Sequence, residues 1–511
     1  MKRLLTAVCL LSVLRMYAEE PADTFASWRA EGIATLSSGS FAPHYLVANR
    51  FGIVSSGDNY LLSAKVERDL DKSCRFSYAF GVQFIGGYTS EVVYRKFDKS
   101  LDGFVKNPMT PSRAYLQQLY AAAKWRSLFF MAGMKEFEPA LVDRELSSGD
   151  LIHSGNIRPI PQVRAGFVDF QPVPFTSGKL KIQGEFAYGK FTDAKWGEKH
   201  SDHYNSFTTS GIWYVYRRLY FRLDTSRLFS LTFGAQAAGQ FGGKSVYMKR
   251  GEVDRVDNRG IKFVDFFKMI VPMDVSKEGF CQGNTLGSWD IKADFRLKSG
   301  MKISGYVEFP WEDGSGMAKL NGFDGLYGVV LSIGENKPAL EAAAVEYLDL
   351  TNQSGPIHFD PDDYAGTNMT SQATGADDYY NNKFYNSYSN YGMIAGTPMV
   401  MGPIYNLDGY NCVIGNRMRG VHVAARGWLH GNMSWEAKFG WRKAYGNGFM
   451  ALVPPRHSYS ALASFKWYVP AVKNLTVKGS LALDRGKLPA NTFGAEISVA
   501  YSGVIFSRDK R

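Results

Sequence analysis

Residues 376–406 read ADDYYNNKFYNSYSNYGMIAGTPMVMGPIYN, with Tyr and Asn crowded into the first half. Flat aromatic faces stack on the apolar faces of sugar rings, and short amides make directional hydrogen bonds to hydroxyls. On that chemistry the candidate polysaccharide contacts are Tyr380, Asn381, Asn382, Tyr385, Asn386, Tyr388, Asn390 and Tyr391. Tyr would stack on rings and Asn would bond hydroxyls. The same composition also builds a structural loop held by its own hydrogen bonds, and composition alone weighs toward that second reading.

Catalytic motifs are near misses. Gly242-Gly243-Lys244-Ser245 resembles the end of a phosphate-binding loop, but the first required glycine would stand at position 238, which is Ala238. His200 and His203 are three apart with no third ligand in view, which reads as a solvated loop. Asp360, Asp362 and Asp363 lack the glycine and terminal glutamate of a calcium loop. No nucleophile elbow or two-histidine helix motif is found, so neither an enzyme nor a cofactor or metal site is expected.

These residues need a scaffold. The chain has 511 residues, 45% hydrophobic and 21% charged, with only 4 Cys. That excludes a disordered chain and a disulfide scaffold. A mean hydropathy of −0.22 excludes a polytopic helical membrane protein. Lys2 and Arg3, an apolar stretch from Leu4 to Leu14 and a polar exit at Glu19-Glu20 have the order of a secretory signal peptide, residues 1–18. Its removal takes three basic residues and no acid, so the net charge falls from +11 to +8. It leaves Cys74, Cys281 and Cys412, an odd count in an exported chain. The basic residues are spread out, which does not suit a nucleic-acid patch.

The dominant pattern beyond the leader has period 2. Phe76, Tyr78, Phe80, Val82 and Phe84 alternate with small or polar residues. Leu180, Ile182, Phe186 and Tyr188 alternate with Lys181, Gln183 and Glu185. Trp289, Ile291, Ala293, Phe295 and Leu297 alternate with Asp290, Lys292, Asp294, Arg296 and Lys298, and Ser299-Gly300 turns the chain into Met301, Ile303, Val307 and Phe309. The C-terminal runs around Trp435–Trp441, Tyr459–Trp467, Leu475–Leu483 and Phe493–Ile505 repeat the theme. Each run has one apolar and one polar face. Runs of about ten residues, full charges on the polar face and aromatics at run ends favour a membrane barrel over a soluble sandwich. The expected fold is all-β: one large antiparallel transmembrane β-barrel over residues 19–511. Residues 19–58 and 247–282 leave room for small helical pieces at a rim or plug.

Four stretches together resemble the Wzi-type capsule assembly family of bacterial outer-membrane proteins. They are YNNKFYNSYSNYGM at 380–393 with GTP at 396–398 and GPIYN at 402–406, SSGDLIHSGNIRPIPQ at 147–162, QLYAAAKW at 118–125 leading to Gly133, and 347–356 containing TNQSGP. The resemblance implies about eighteen strands in the outer membrane of a Gram-negative-type bacterium. It implies a non-enzymatic, lectin-like role, anchoring capsular or other surface polysaccharide. The implied partners are that polymer and outer-membrane lipid, with polysaccharide export machinery as a further one. The resemblance assigns no sugar-contacting residue. In 147–162 the Gly and Pro residues read as turn chemistry, with Asn156 and Arg158 holding a loop inside the lumen. The competing function is a channel for a small solute, since a barrel of this size can enclose water.

Overall fold

The computed structural model describes residues 24–270, 283–334, 336–355, 358–359, 373–374 and 377–507. The leader at 1–18, Cys281 and the Asp360, Asp362 and Asp363 run lie outside them. The barrel strands are β1 Thr24–Ser37, β2 Asn59–Arg68, β3 Phe76–Thr89, β4 Ala114–Trp125, β5 Leu128–Met134 and β6 Gln162–Phe167, which Gln171–Pro172 continues. Next come β7 Leu180–Lys190, β8 Trp213–Asp224, β9 Phe229–Phe241, β10 Asn284–Arg296, β11 Lys302–Trp311 and β12 Gly325–Ser332. The last are β13 Ala342–Asp349, β14 Arg417–His430, β15 Met433–Gly446, β16 Ala451–Tyr468, β17 Leu475–Gly486 and β18 Thr492–Ser507. Each pairs antiparallel with the next, and β18 pairs with β1 from Ser37↔Gly494 to Thr24↔Ser507. The result is a closed antiparallel barrel of 18 strands. Closure leaves no free sheet edge, the condition for a sheet to stand in lipid. No described helix is long and apolar enough to cross a membrane; the strands do the crossing.

The alternation resolves as the sequence predicts. On β10, Trp289, Ile291 and Phe295 are 41%, 43% and 48% exposed, while Asp290 and Asp294 are 1% and 4% exposed. The outward aromatics form two belts. Nearer the long connections, Trp289 pairs with Phe309, Tyr327 with Tyr347 and Trp441 with Tyr459. Nearer the short turns, Phe229 pairs with Phe295, Phe76 with Trp125 and Trp435 with Phe465. Amphipathic and aromatic rings at both edges of an apolar band are the girdles of a membrane barrel. Ser299-Gly300 lies in a short turn, with Gly300 at φ +87°. The inward charges are networked. Glu185 accepts from Arg164 at 2.6 Å and Arg218 at 3.1 Å, and Glu496 from Arg50 at 2.6 Å and Thr35 at 2.9 Å. A buried charge left unpaired would cost several kcal/mol, roughly 3–5.

Connections at one end are short, among them 126–127, 225–228, 297–301 and 431–432. The long ones, 38–58, 90–113, 135–161, 191–212, 242–283 and 350–416, all leave the opposite end. That asymmetry assigns the long-loop end to the cell exterior. Among the described residues four short α-helices lie at this end, α1 His44–Val47, α2 Ala194–His200 and α3 Phe263–Lys268 in long connections and α4 Gly314–Met317 in the 312–324 connection. The glycine-rich Gly243–Lys249 stretch is the middle strand of a small sheet with Asn205–Ser210 and Glu252–Arg259, with no strand-to-helix phosphate loop.

Candidate functional site

The long connections fold back into the barrel. Parts of 38–57, 137–160 and 379–413 join inward barrel residues in one apolar cluster that includes Leu46, Val47, Leu151, Ile152, Tyr380 and Ile394. Barrel carboxylates tie the plug to the wall. Glu346 accepts from Ser147 Oγ at 2.6 Å and the Ser148 amide at 2.6 Å, and Glu308 from the Leu151 amide at 2.8 Å. Within the plug, Asn156 Nδ2 donates to the Ile394 carbonyl at 3.0 Å. The loop-holding role expected of Asn156 is what the geometry shows.

The Tyr/Asn segment is a working part of this plug. Tyr380, Asn381, Tyr385, Asn386, Tyr388 and Asn390 are all buried, while Asn382 and Tyr391 are half-buried. Tyr380 donates its hydroxyl to the Leu151 carbonyl at 2.8 Å. Asn381 clamps Val413 from both sides, accepting from its amide at 2.7 Å and donating to its carbonyl at 2.9 Å. Asn382 accepts from the Phe384 amide at 2.8 Å, and Asn386 donates to the Phe207 carbonyl at 2.9 Å. The Tyr385 ring lies 5.2 Å from the Arg259 guanidinium. Tyr380, Asn386 and Tyr391 stand at φ +69°, +62° and +51°. Left-handed backbone in Tyr persists only where surrounding contacts impose it. These bonds are the self-satisfaction of a structural loop, made to backbone groups instead of sugar.

Four of the eight residues also face cavities, Tyr385 and Asn386 a small one of about 40 Å³ and Asn390 and Tyr391 a larger one. Asn390 and Tyr391 line a space of about 290 Å³ at the mouth, with Arg158, Trp196, Lys195 and Lys199 among its other walls. The Arg158 guanidinium lies 3.9 Å from the Tyr115 ring and 4.6 Å from the Tyr391 ring, in line with the loop-holding role expected of it. Its carbonyl accepts from Asn390 Nδ2 at 3.0 Å, so it also fastens the segment. Asp193 accepts from the Tyr391 amide at 3.0 Å, and burial pushes its carboxyl up to about 6. Trp196, on α2, stacks on His200 at 4.6 Å. His200 is fully buried and bonded to Asn411 at 2.7 Å, which corrects the solvated-loop reading of that histidine. Gly392 sits at φ +75° against Trp196, where any side chain would strike the indole.

Lys195, Lys199, Trp196 and Tyr115 carried no sequence signal. Lys195, Trp196 and Lys199 come from one helix, α2, Tyr115 from a strand end and Arg158 from another connection, and no short motif encodes that meeting. A second cavity of about 700 Å³ is lined by barrel-wall residues such as Arg29, Lys65 and Ser464 and by plug residues such as Leu46 and Arg50.

No family model and no curated protein sequence matches the chain. Among solved structures, it is similar to Wzi of Escherichia coli, described as an outer-membrane protein involved in group 1 capsule assembly and a carbohydrate-binding β-barrel. The TM-score is 0.55 at 13% identity, covering 94% of this chain and 85% of that one. Two further matches are OccK3 of Pseudomonas aeruginosa (12% identity, TM-score 0.45, 95% and 97% covered) and OccAB2 of Acinetobacter baumannii (7%, 0.47, 96% and 100%). At these identities the likeness is one of fold, and the fold is that of Gram-negative outer-membrane barrels.

Proposed function

We propose that this protein is a Wzi-type barrel that holds surface polysaccharide at the cell exterior, in a lectin-like and non-enzymatic way. The observation that carries the reading is the plug. Long outer connections fill the lumen with a packed, hydrogen-bonded core and still leave a polar, aromatic-walled cavity on the outer side. A filled lumen suits a holder better than a conduit, and the cavity's Trp, Tyr and amide groups are the chemistry that sugars need. Of the eight expected contacts, Asn390 and Tyr391 keep a ligand-facing role, and the other six support the loop that presents them. The membrane partner is outer-membrane lipid; export machinery is a further partner under the same reading.

The test compares polymer retained on washed cells with polymer shed into the medium, with and without the gene. A fall in the cell-bound share at constant total supports anchoring. An unchanged partition refutes it. The channel reading has one observation in its favour, the cavity of about 700 Å³ between wall and plug. A steady open conductance of the purified barrel in a planar bilayer would favour that reading.

A further inference from the structure

We propose that the mouth cavity is built for an acidic sugar residue, a uronate, whose carboxylate is taken by Arg158. This rests on the anchoring reading and names the ligand class for it. Three cations, Arg158, Lys195 and Lys199, line the cavity, and no Asp or Glu is among its walls. None of the three forms an ion pair among the described residues. Elsewhere inside this barrel some guanidinium groups are matched to a carboxylate, as Arg164 and Arg218 are to Glu185, and others to backbone carbonyls, as Arg442 is to those of Met399 and Leu488. Lys195 and Lys199 stand one turn apart on α2, both exposed. Like charges at that spacing repel each other, and an anion between them and Arg158 would relieve the repulsion.

The rings of Tyr115 and Tyr391 hold the guanidinium through its faces, at 3.9 and 4.6 Å. That contact fixes the plane of the fork and leaves its edge for two parallel hydrogen bonds to one carboxylate. Arg158 Nε is buried without a hydrogen-bond partner. Asn390 supplies the second, independent sign. It is 1% exposed, its Nδ2 is used on the Arg158 carbonyl, and its Oδ1 is buried with no partner. A buried acceptor without a donor is rare in a folded protein, and a sugar hydroxyl is a donor of the right kind. Trp196 and Tyr391 line the space with aromatic rings, and Ser55, Thr110 and Ser112 are also among its lining residues.

The experiment uses the full-length barrel in detergent. The probes are glucuronate- and galacturonate-bearing oligosaccharides and the same oligosaccharides with their carboxylates reduced to alcohols. The expected result is binding of at least one acidic probe about tenfold or more tighter than its reduced form, the scale of a hydrogen bond to a charged group. Arg158→Gln should erase that difference. Lys195→Gln with Lys199→Gln, on exposed positions that cannot unfold the barrel, should weaken the acidic probe several-fold and flatten its salt dependence. Equal binding of acidic and reduced probes, or no binding of either, overturns the acidic-sugar inference. Cell-bound polymer in a strain lacking the gene decides the anchoring reading separately. If polymer is shed there while acidic and reduced probes bind alike, anchoring stands and the uronate assignment falls.

Discussion

Asn381 and Asn382 are neighbours of the same type in the same Tyr/Asn-rich stretch, and the structure gives them unequal work. Asn381 makes the sole side-chain bond to the Val413 amide, at 2.7 Å, and a second to the Val413 carbonyl, at 2.9 Å. In Asn381→Ala the carbonyl keeps Asn447 Nδ2 at 3.2 Å, and Asp378 keeps Asn416. The Val413 amide loses its partner while buried. One orphaned donor costs about 1–3 kcal/mol, which corresponds to roughly a 5- to 150-fold increase in local opening. Asn382 is half-buried and accepts only from the Phe384 amide inside its own turn, at 2.8 Å. Its alanine variant should cost about 1 kcal/mol or less. Peptide-resolved hydrogen exchange on the detergent-solubilised barrel measures both. Asn381→Ala should speed exchange around 411–415 within that range, and Asn382→Ala should leave the region close to wild type. Equal behaviour of the two variants would refute the assignment of Asn381 as the clamp on Val413.

Burial raises the Asp193 carboxyl to about 6 in the folded protein, from a reference value near 3.8. The protonated form is therefore favoured in the docked segment, so docking is strongest below pH about 4, weakens as pH rises toward about 6 and is level above. Exchange protection of the Tyr391 amide, corrected for intrinsic rates, should fall over that window, and Asp193→Asn should remove the trend; a flat wild-type profile contradicts it. The intact barrel should give no steady conductance in a planar bilayer, whereas replacing 377–413 with a short Gly/Ser linker should open it. A silent linker variant that is folded would show that other connections seal the lumen. Burial pushes the Cys412 thiol up to about 12, while Cys74 is exposed. Iodoacetamide at pH 8 should therefore alkylate Cys74 and spare Cys412 until the protein is denatured, with mass spectrometry reading each peptide. Rapid native labelling of half-buried Cys412 would contradict the raised thiol.

The sequence by itself determined the barrel. A strand points alternate side chains to opposite faces, so the alternation of Trp289, Ile291 and Phe295 with Asp290 and Asp294 specifies one lipid face and one lumen face with no knowledge of any partner strand. Lipid asks only that the outer face be apolar, and that requirement is local. The chemistry of residues 380–391 was legible in the same way, as groups that stack and make short directional hydrogen bonds. What those groups bond to was decided by tertiary structure. A backbone carbonyl and a sugar hydroxyl both accept from an asparagine amide. Asn390 reaches the carbonyl of Arg158, which lies 232 positions away, and Asn156 that of Ile394, 238 positions away. Contacts at that separation leave no period in the chain. The cavity of Arg158, Trp196 and Lys195 likewise exists only once the connections are folded into one closed lumen, because closure is what brings chain ends and distant loops to the same mouth.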